Sequence, residues 1–145
     1  MKNLIFLLVS SLLLLSCTGG KTSDINMNTS SEAQAFIDSY TATFLELQYS
    51  YAKASWASNT MIVEGDTMNS FNRNKANEAV SAFSGSIENI ERARYFLDRK
   101  GSLSPIQTKQ LETILYYAAD SPQTVPDIVK RRIAAETAQV ETLYG

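Results

Sequence analysis

The stretch "EAQAFIDSYTATFLELQYSYAKASW", Glu32 to Trp56, decides the fold class because its apolar residues recur every three to five positions. This spacing keeps them on one face of an α-helix. The members of the face are Ala33, Phe36, Ile37, Tyr40, Phe44, Leu47, Tyr51 and Trp56. Ser31 and Gln34 have the spacing of a capping box, so we expect the helix to begin there. From Glu32 to Ser58 such a helix is about 40 Å long.

A second helix is predicted from about Asp66 to Lys100. Its apolar face consists of Met68, Phe71, Ala76, Val80, Phe83, Ile87, Ile90 and Leu97. Gly85 is a weak point inside this helix, since glycine costs about 1 kcal/mol relative to alanine there. Arg99 and Lys100 suit the negative carboxyl end of the helix, and Gly101 suits the left-handed residue that follows it.

The start of a third helix is the clearest signal in the chain. In "SPIQ", Ser104 is the N-cap, Pro105 is the first helical residue and Gln107 closes a capping box. The motif "DSP" ends this helix, and the fourth opens at "TVPD" with Thr124 as cap and Asp127 in the first turn. Apolar residues follow at Ile106, Leu111, Ile114, Leu115 and Ala118, and then at Val125, Ile128, Val129, Ile133, Val140 and Leu143. No strand-like alternation is found, so we predict an all-α fold of about four helices.

The amino-terminal segment "MKNLIFLLVSSLLLLSC" has the pattern of a targeting sequence. Lys2 precedes an apolar run, and "LLSC" has the pattern of a bacterial lipobox that ends at Cys17, the only cysteine. We predict a signal peptide at 1–16, lipid attachment at Cys17, a flexible tether at 17–30 and a helical part at 31–145. An ordinary secretory signal is the alternative. The expected location is a lipid-anchored membrane surface of the bacterial envelope, on the periplasmic or outer-membrane side.

The composition excludes several classes of function. The chain has no histidine among its 145 residues, which removes zinc sites of the His-Glu-x-x-His type and Ser–His or Cys–His nucleophile pairs. Without the leader, 12 basic and 15 acidic residues remain, too acidic a balance for nucleic-acid binding. The glycines of "TGGKTS" lack the spacing of a phosphate-binding loop.

The remaining candidates for chemistry are weak. A carboxylate acid/base pair is conceivable, but solvated helix charges are the preferred interpretation; the residues concerned are Asp38, Glu46, Glu88, Glu91, Glu136 and Glu141. The run Lys130 to Arg132 is interpreted as a solvated face, with Asp127 and Glu136 as helical partners. The aromatic stripe of Tyr40, Phe44, Tyr51 and Trp56 lines either a ligand groove or, as we prefer, the core.

Two stretches carry a resemblance to a known family. "AQAFIDSYTATFLELQYSYAKASWASNT", with Ala54 to Thr60 as its "ASWASNT" motif, resembles the first helix of the angiotensin-converting enzyme family of zinc peptidyl-dipeptidases. "RRIAAETAQVETLYG", residues 131–145, resembles a later helix of bacterial members. The resemblance covers most of the chain after the tether, by pattern rather than identity between these two stretches.

The resemblance implies an α-helical metallopeptidase fold in which amino-terminal helices form a lid over a deep channel. It also implies a hydrolase that releases dipeptides from the carboxyl end of oligopeptides, with zinc held by two histidines and a glutamate. None of those residues has a counterpart here. We therefore expect a truncated lid part with no catalytic or metal-binding residue, no cofactor and no activity of its own, in which Trp56 packs onto neighbours in a structural role.

Two other interpretations stay open. The chain is alternatively a stand-alone helical lipoprotein that binds a partner or peptide at the cell envelope. In that case the part after the tether would unfold cooperatively as a monomer, whereas a fragment would bind hydrophobic dye. A third interpretation has the catalytic part encoded as a separate chain that assembles with this one.

Overall fold

The computed structural model describes residues 20–61, 65 and 67–144, and throughout these ranges the chain forms helices and turns without a strand. This confirms the predicted all-α class. The α-helices are α1 (Gly20–Thr60), α2 (Met68–Ser84), α3 (Ile87–Leu97), α4 (Pro105–Asp120) and α5 (Pro126–Tyr144), with a 3-10 turn at Lys100–Ser102. The predicted signal peptide at 1–16 and the lipidation site Cys17 lie outside the described residues. None of the helices in the described ranges is long and apolar enough to cross a membrane.

Helix α1 begins earlier than its sequence suggests. It starts at Gly20, so Ser31 lies inside the helix and the predicted capping box with Gln34 is wrong. The Gln34 side chain instead donates to Asp38 Oδ1 at 2.8 Å. The part of the predicted flexible tether that the structure describes, residues 20–30, is helical, and Thr29 within it is buried. The tether was predicted from polar composition, but contacts with the rest of the chain hold its last turn in place.

The core lies between α1, α3 and α4. Its buried apolar residues are Ala33, Phe36, Ile37, Tyr40, Ala93, Phe96, Leu111 and Ile114. The aromatic rings contact one another across helices: the centroids of Phe36 and Phe96 are 5.9 Å apart, and those of Tyr40 and Phe83 are 5.0 Å apart. The predicted core residues of the first half of α1 and of α4 are thus confirmed. Ile106 was also predicted to be apolar core, but it is 72% exposed.

The predicted second helix is in fact two helices that meet at Gly85. Its backbone has φ −89° and ψ 7°, a conformation open to any residue, so conformational freedom does not explain the glycine. Lack of space explains the glycine, because a Cβ at this position would lie 1.7 Å from the carbonyl oxygen of Ser121. Ser86 then caps α3 by accepting from the Asn89 amide at 3.2 Å. The prediction of a continuous helix is wrong because a tertiary contact breaks it.

The end of α3 is stabilised by a basic residue, as predicted, but not by a glycine. Arg99 lies 3.7 Å from the ring centroid of Tyr95 and donates to the Tyr95 carbonyl at 2.8 Å. Gly101 lies in the 3-10 turn without a positive φ, so its predicted left-handed conformation is wrong. The last carbonyls of the helix accept instead from the residues that follow it: the Asp98 amide donates to the Arg94 carbonyl and the Arg99 amide to the Phe96 carbonyl, each at 2.9 Å.

The predicted capping box of α4 is confirmed. Ser104 Oγ accepts from the Gln107 amide at 3.2 Å, and Gln107 Oε1 accepts from the Ser104 amide at 2.9 Å. Gln107 is itself buried, because its side chain also reaches α1. There it donates to the Ser30 carbonyl at 2.9 Å and to Gln34 Oε1 at 3.2 Å. A local signal for a helix start therefore also fixes the packing of α4 on α1.

Helix α5 packs against α2. It begins at Pro126, and the carbonyl of Val125 accepts from the amides of its first turn, so the predicted cap at Thr124 is wrong by one residue. Asp127 lies in the first turn as predicted. Val129 and Ile133 are buried, whereas Ile128 is 61% exposed.

Candidate functional site

The distal half of α1, from Thr41 to Thr60, has two apolar faces. The inner face packs on the rest of the chain: Phe44 contacts the core, and its ring centroid is 5.7 Å from that of Tyr40 and 5.1 Å from that of Tyr117. Leu47 and Tyr51 on the same side are half-buried. This part of the predicted aromatic stripe is core or core edge, as preferred from the sequence.

The second apolar face points outward, and we call it the outer stripe: Leu45, Tyr49 and Trp56. Their exposed fractions are 61%, 72% and 72%. At 3.6 residues per turn, the three side chains lie within about 40° of one another around the helix axis. The expectation that Trp56 packs onto neighbours is wrong among the described residues, because its ring is largely in solvent.

The outer stripe lies in a part of the chain with few charges. Between Ser39 and Met61 the only charged residues are Glu46 and Lys53. A surface that combines tyrosine, tryptophan and leucine with few charges has the composition of a protein interface core. A helix with apolar residues on two faces is typically buried on both. The outer stripe is therefore a surface that is suited to contact another protein.

A groove between α1, α2 and the start of α3 is the second candidate. It has a volume of about 640 Å³. Phe36, Tyr40 and Phe83 contribute to its lining together with small residues such as Ala79, and Arg92 also lines it. The guanidinium of Arg92 lies 4.9 Å from the ring centroid of Phe36. The groove combines an aromatic surface with one cationic side chain, Arg92, and one anionic side chain, Glu88. This mixture of groups does not select a single class of ligand.

The Tyr40 hydroxyl is a buried polar group that the sequence did not single out. Tyr40 is 5% exposed, and the structure gives its hydroxyl no hydrogen-bond partner among the described residues. Burial, and after it the charge of Tyr117, raises the pKa of Tyr40 to about 12. A phenol with so high a pKa stays protonated and serves neither as a base nor as a nucleophile at neutral pH.

The candidate carboxylates do not converge. Within the described ranges, no group of three or more histidine, cysteine, aspartate or glutamate side chains could hold a metal ion. Asp38 accepts from Gln34, and Glu136 pairs with Arg132 at 3.0 Å as its helical spacing predicted. Glu46, Glu88, Glu91 and Glu141 are exposed. Their arrangement is that of solvated helix surfaces.

A polar junction joins the break at Gly85 to α4 and α5. Ser121 and Ser81 are buried, and their hydroxyl oxygens are 3.2 Å apart. The backbone amide of Gln123 donates to the Gly85 carbonyl at 3.0 Å. Arg132 donates to Ser121 Oγ at 3.0 Å and lies 3.5 Å from Asp120 Oδ2. These groups satisfy one another, so the junction is structural. Sequence reasoning identified Gly85 and Arg132 singly, but nothing in the spacing shows that they meet.

Compared with known proteins, the chain matches no family model, no curated protein and no solved structure. The resemblance of the α1 sequence to the zinc peptidyl-dipeptidases thus rests on the residues quoted for it.

Proposed function

We propose that this chain is the amino-terminal helical part of a zinc peptidase that resembles the peptidyl-dipeptidases, and that it is held on a membrane surface by lipid at Cys17. In this role it carries no catalytic residue. It supplies part of the covering over a peptide channel, and the outer stripe packs against the catalytic part. The substrates of the whole protein would be oligopeptides, and its metal would be zinc.

The outer stripe is the observation that carries this proposal. It lies within the stretch whose sequence resembles the family, and Trp56 belongs to both. Burying an aromatic or leucine side chain contributes about 1.5 to 3 kcal/mol, so burying all three residues would contribute about 6 kcal/mol. An exposed apolar surface whose burial would contribute this much free energy is expected where a helix belongs to a larger domain.

The lipid anchor is supported by the sequence alone. Cys17 has no cysteine to pair with, and it ends a leader of suitable charge and hydropathy. Its thiol is the group to which a diacylglyceryl unit would be attached. Several acyl chains give stable anchoring, whereas a single chain does not.

The first test is chemical and genetic. Reading the gene beyond the codon for Gly145 and measuring the intact mass of the protein from native membranes should reveal a His-Glu-x-x-His segment in the same protein or in a bound partner. The purified chain is expected to hold no zinc and to release no dipeptide. Zinc at about one per chain after dialysis would contradict the proposal.

The second test addresses the interface. A variant with serine at Leu45, Tyr49 and Trp56 should fold as the native chain does, because these side chains are exposed. It should no longer co-purify with the His-Glu-x-x-His protein. A matched control replaces three equally exposed apolar residues on other helices, Ile106, Tyr116 and Ile128. Loss of the partner in the control but not in the stripe variant would show that the interface lies elsewhere.

A stand-alone binding module is the second candidate, and the groove beside Arg92 favours it. Such a module would bind a peptide or partner protein there without a catalytic part. The two proposals predict different unfolding and association of the isolated chain without residues 1–17. A module is expected to unfold in one cooperative transition as a monomer, whereas the peptidase part is expected to bind hydrophobic dye through the outer stripe and to associate.

A further inference from the structure

The outer stripe lies within a longer apolar repeat on the exposed side of α1. Besides the outer stripe itself, two alanines are exposed on this side. In chain order the five residues are Ala42, Leu45, Tyr49, Ala52 and Trp56, separated alternately by three and four positions. At 3.6 residues per turn they lie within about 80° of one another around the helix axis. Alternate spacing of three and four is the pattern by which two α-helices pair in a coiled coil.

The rest of the chain leaves this repeat accessible. Phe44 and Tyr51 of the inner face lie about 140° to 160° from Tyr49 around the helix axis, so the bundle packs on the opposite side of α1. Asp38 and Asn59 are exposed at the next positions of the repeat, and they end its apolar surface. The apolar row between them is about 21 Å long. Because α1 is already folded against the bundle, pairing along this row would not have to form a helix.

Two charged residues border the repeat on one side. Glu46 and Lys53 are the only charged residues between Ser39 and Met61, and both are exposed. Each directly follows a residue of the repeat, and they lie within about 20° of each other around the helix axis. The structure gives neither side chain an ion-pair partner among the described residues. A partner that presents the same two charges in the opposite order would pair with both, and an antiparallel second copy of α1 does so.

We propose that a second copy of this chain covers the outer stripe, with the two α1 helices antiparallel about a two-fold axis. In this orientation Glu46 of each copy faces Lys53 of the other, and the axis repeats the pair. In a parallel arrangement Glu46 would face Thr41 of the second copy. Lys53 would face its Gln48, so all four charges would be left unpaired. The charges therefore favour the antiparallel orientation.

The same register matches large side chains with smaller ones. Trp56 meets Leu45 of the second copy, and Tyr49 meets its Ala52, so the two rows can interdigitate. An aromatic side chain buries about 150 to 250 Å², so covering the row and its bordering charges on both copies would remove about 1,000 Å² from solvent. This area is at the lower limit for a specific interface, and it indicates a weak dimer with a Kd of about 10 to 100 μM.

The inference goes beyond the proposed function, because it needs neither lipid at Cys17 nor a catalytic part. A catalytic part would compete with the second copy for the outer stripe, so the dimer is the state of the chain on its own. At about 1 μM the chain stays monomeric and its outer stripe is open to hydrophobic dye, whereas at about 200 μM most copies are paired.

Chemical cross-linking tests the contact between the two charged residues. Unlabelled full chain and full chain labelled with heavy nitrogen are mixed at about 200 μM in detergent, with micelles in excess over chains. A carbodiimide then joins carboxyl and amino groups that are in contact. Mass spectrometry of the digested dimer is expected to show an amide between Glu46 of one isotopic form and Lys53 of the other, which can come only from two copies.

Charge reversal tests the orientation. Glu46→Lys and Lys53→Glu each place like charges across the interface, so each is expected to raise the Kd by about tenfold or more in sedimentation equilibrium. An equimolar mixture of the two variants restores opposite charges in both pairs and should dimerise as tightly as the native chain. The matched control Lys130→Glu reverses an exposed charge on α5 and should leave the Kd unchanged.

Three results would overturn the proposed dimer. They are a native chain that stays monomeric at about 200 μM, a dimer whose cross-links do not join Glu46 to Lys53, and a mixture of the two variants that is no tighter than either alone. None of them bears on the proposed function, which the zinc content and the gene beyond the codon for Gly145 decide separately.

Discussion

Replacing Gly85 with alanine should destabilise the protein strongly, although the sequence suggests the opposite. In a helix interior the change would stabilise by about 1 kcal/mol. In the structure the new Cβ would lie 1.7 Å from the Ser121 carbonyl oxygen, 2.6 Å from the Ser121 carbonyl carbon and 3.1 Å from the Ser81 carbonyl oxygen. These neighbours are backbone atoms, so the α4–α5 connection must move away from the break between α2 and α3.

The magnitude follows from two contributions. Overpacking of a filled site costs about 1 to 3 kcal/mol. The displacement also weakens the hydrogen bond from the Gln123 amide to the Gly85 carbonyl and the contact between the Ser81 and Ser121 hydroxyls, at about 1 kcal/mol each. We expect a loss of about 3 to 5 kcal/mol in the free energy of unfolding. At about 4 °C per kcal/mol, the melting temperature should fall by about 12 to 20 °C.

The assay is thermal and urea unfolding of the chain without residues 1–17, followed by circular dichroism. Gly101→Ala is the matched control, since a Cβ there meets nothing within 4 Å and φ is not positive. That change should be neutral or stabilise by about 0.5 kcal/mol. If Gly85→Ala melts at or above the temperature of the native chain, the close approach of Gly85 to Ser121 does not exist.

Three further predictions concern single contacts and the exposed surface. Gln107→Ala should lower the free energy of unfolding by about 2 to 4 kcal/mol in urea titrations, because the capping box and the contacts with Ser30 are both lost, while the exposed Gln110→Ala serves as control. Tyr40→Phe should leave stability at pH 7 within about 1 kcal/mol of the native value, since the lost hydroxyl has no partner in the described structure. Burial raises the pKa of Tyr40 to about 12, against about 10 in the unfolded chain, so the free energy of unfolding should fall as pH rises from about 10 through 12. The fall should be smaller in Tyr40→Phe. If the native chain and Tyr40→Phe lose the same free energy of unfolding over this pH range, the Tyr40 phenol is not buried. Replacing the outer stripe by serine should reduce hydrophobic-dye binding without lowering the melting temperature, and a fall of more than a few degrees would mean that these side chains are packed.

The candidate surface was only partly predictable from sequence. The predicted aromatic stripe grouped Trp56 with Tyr40 and Phe44, and Tyr40 and Phe44 do lie in or against the core. At 3.6 residues per turn, Trp56 lies about 120° from Phe44 around the helix axis and so belongs to another face. Periodicity describes one helix, however, and does not say how far its neighbours extend. Leu45 and Tyr49 were not assigned to the buried face, and they become significant only because Trp56 is exposed beside them. No local pattern distinguishes an apolar face with a partner from one without.

The sequence by itself determined that this protein is helical and where α4 begins and ends. Those properties depend on short-range terms: the spacing of apolar residues, the reciprocal hydrogen bonds between Ser104 and Gln107, and the proline after the Asp120 terminus. Tertiary structure alone decided that Gly85 separates two helices and that the turn of α1 at Ser30 is held against α4. Each of these depends on atoms distant in sequence, such as the Ser121 carbonyl beside Gly85 or Gln107 beside Ser30. Packing free energy between such groups exceeds the fraction of a kcal/mol by which local propensities differ.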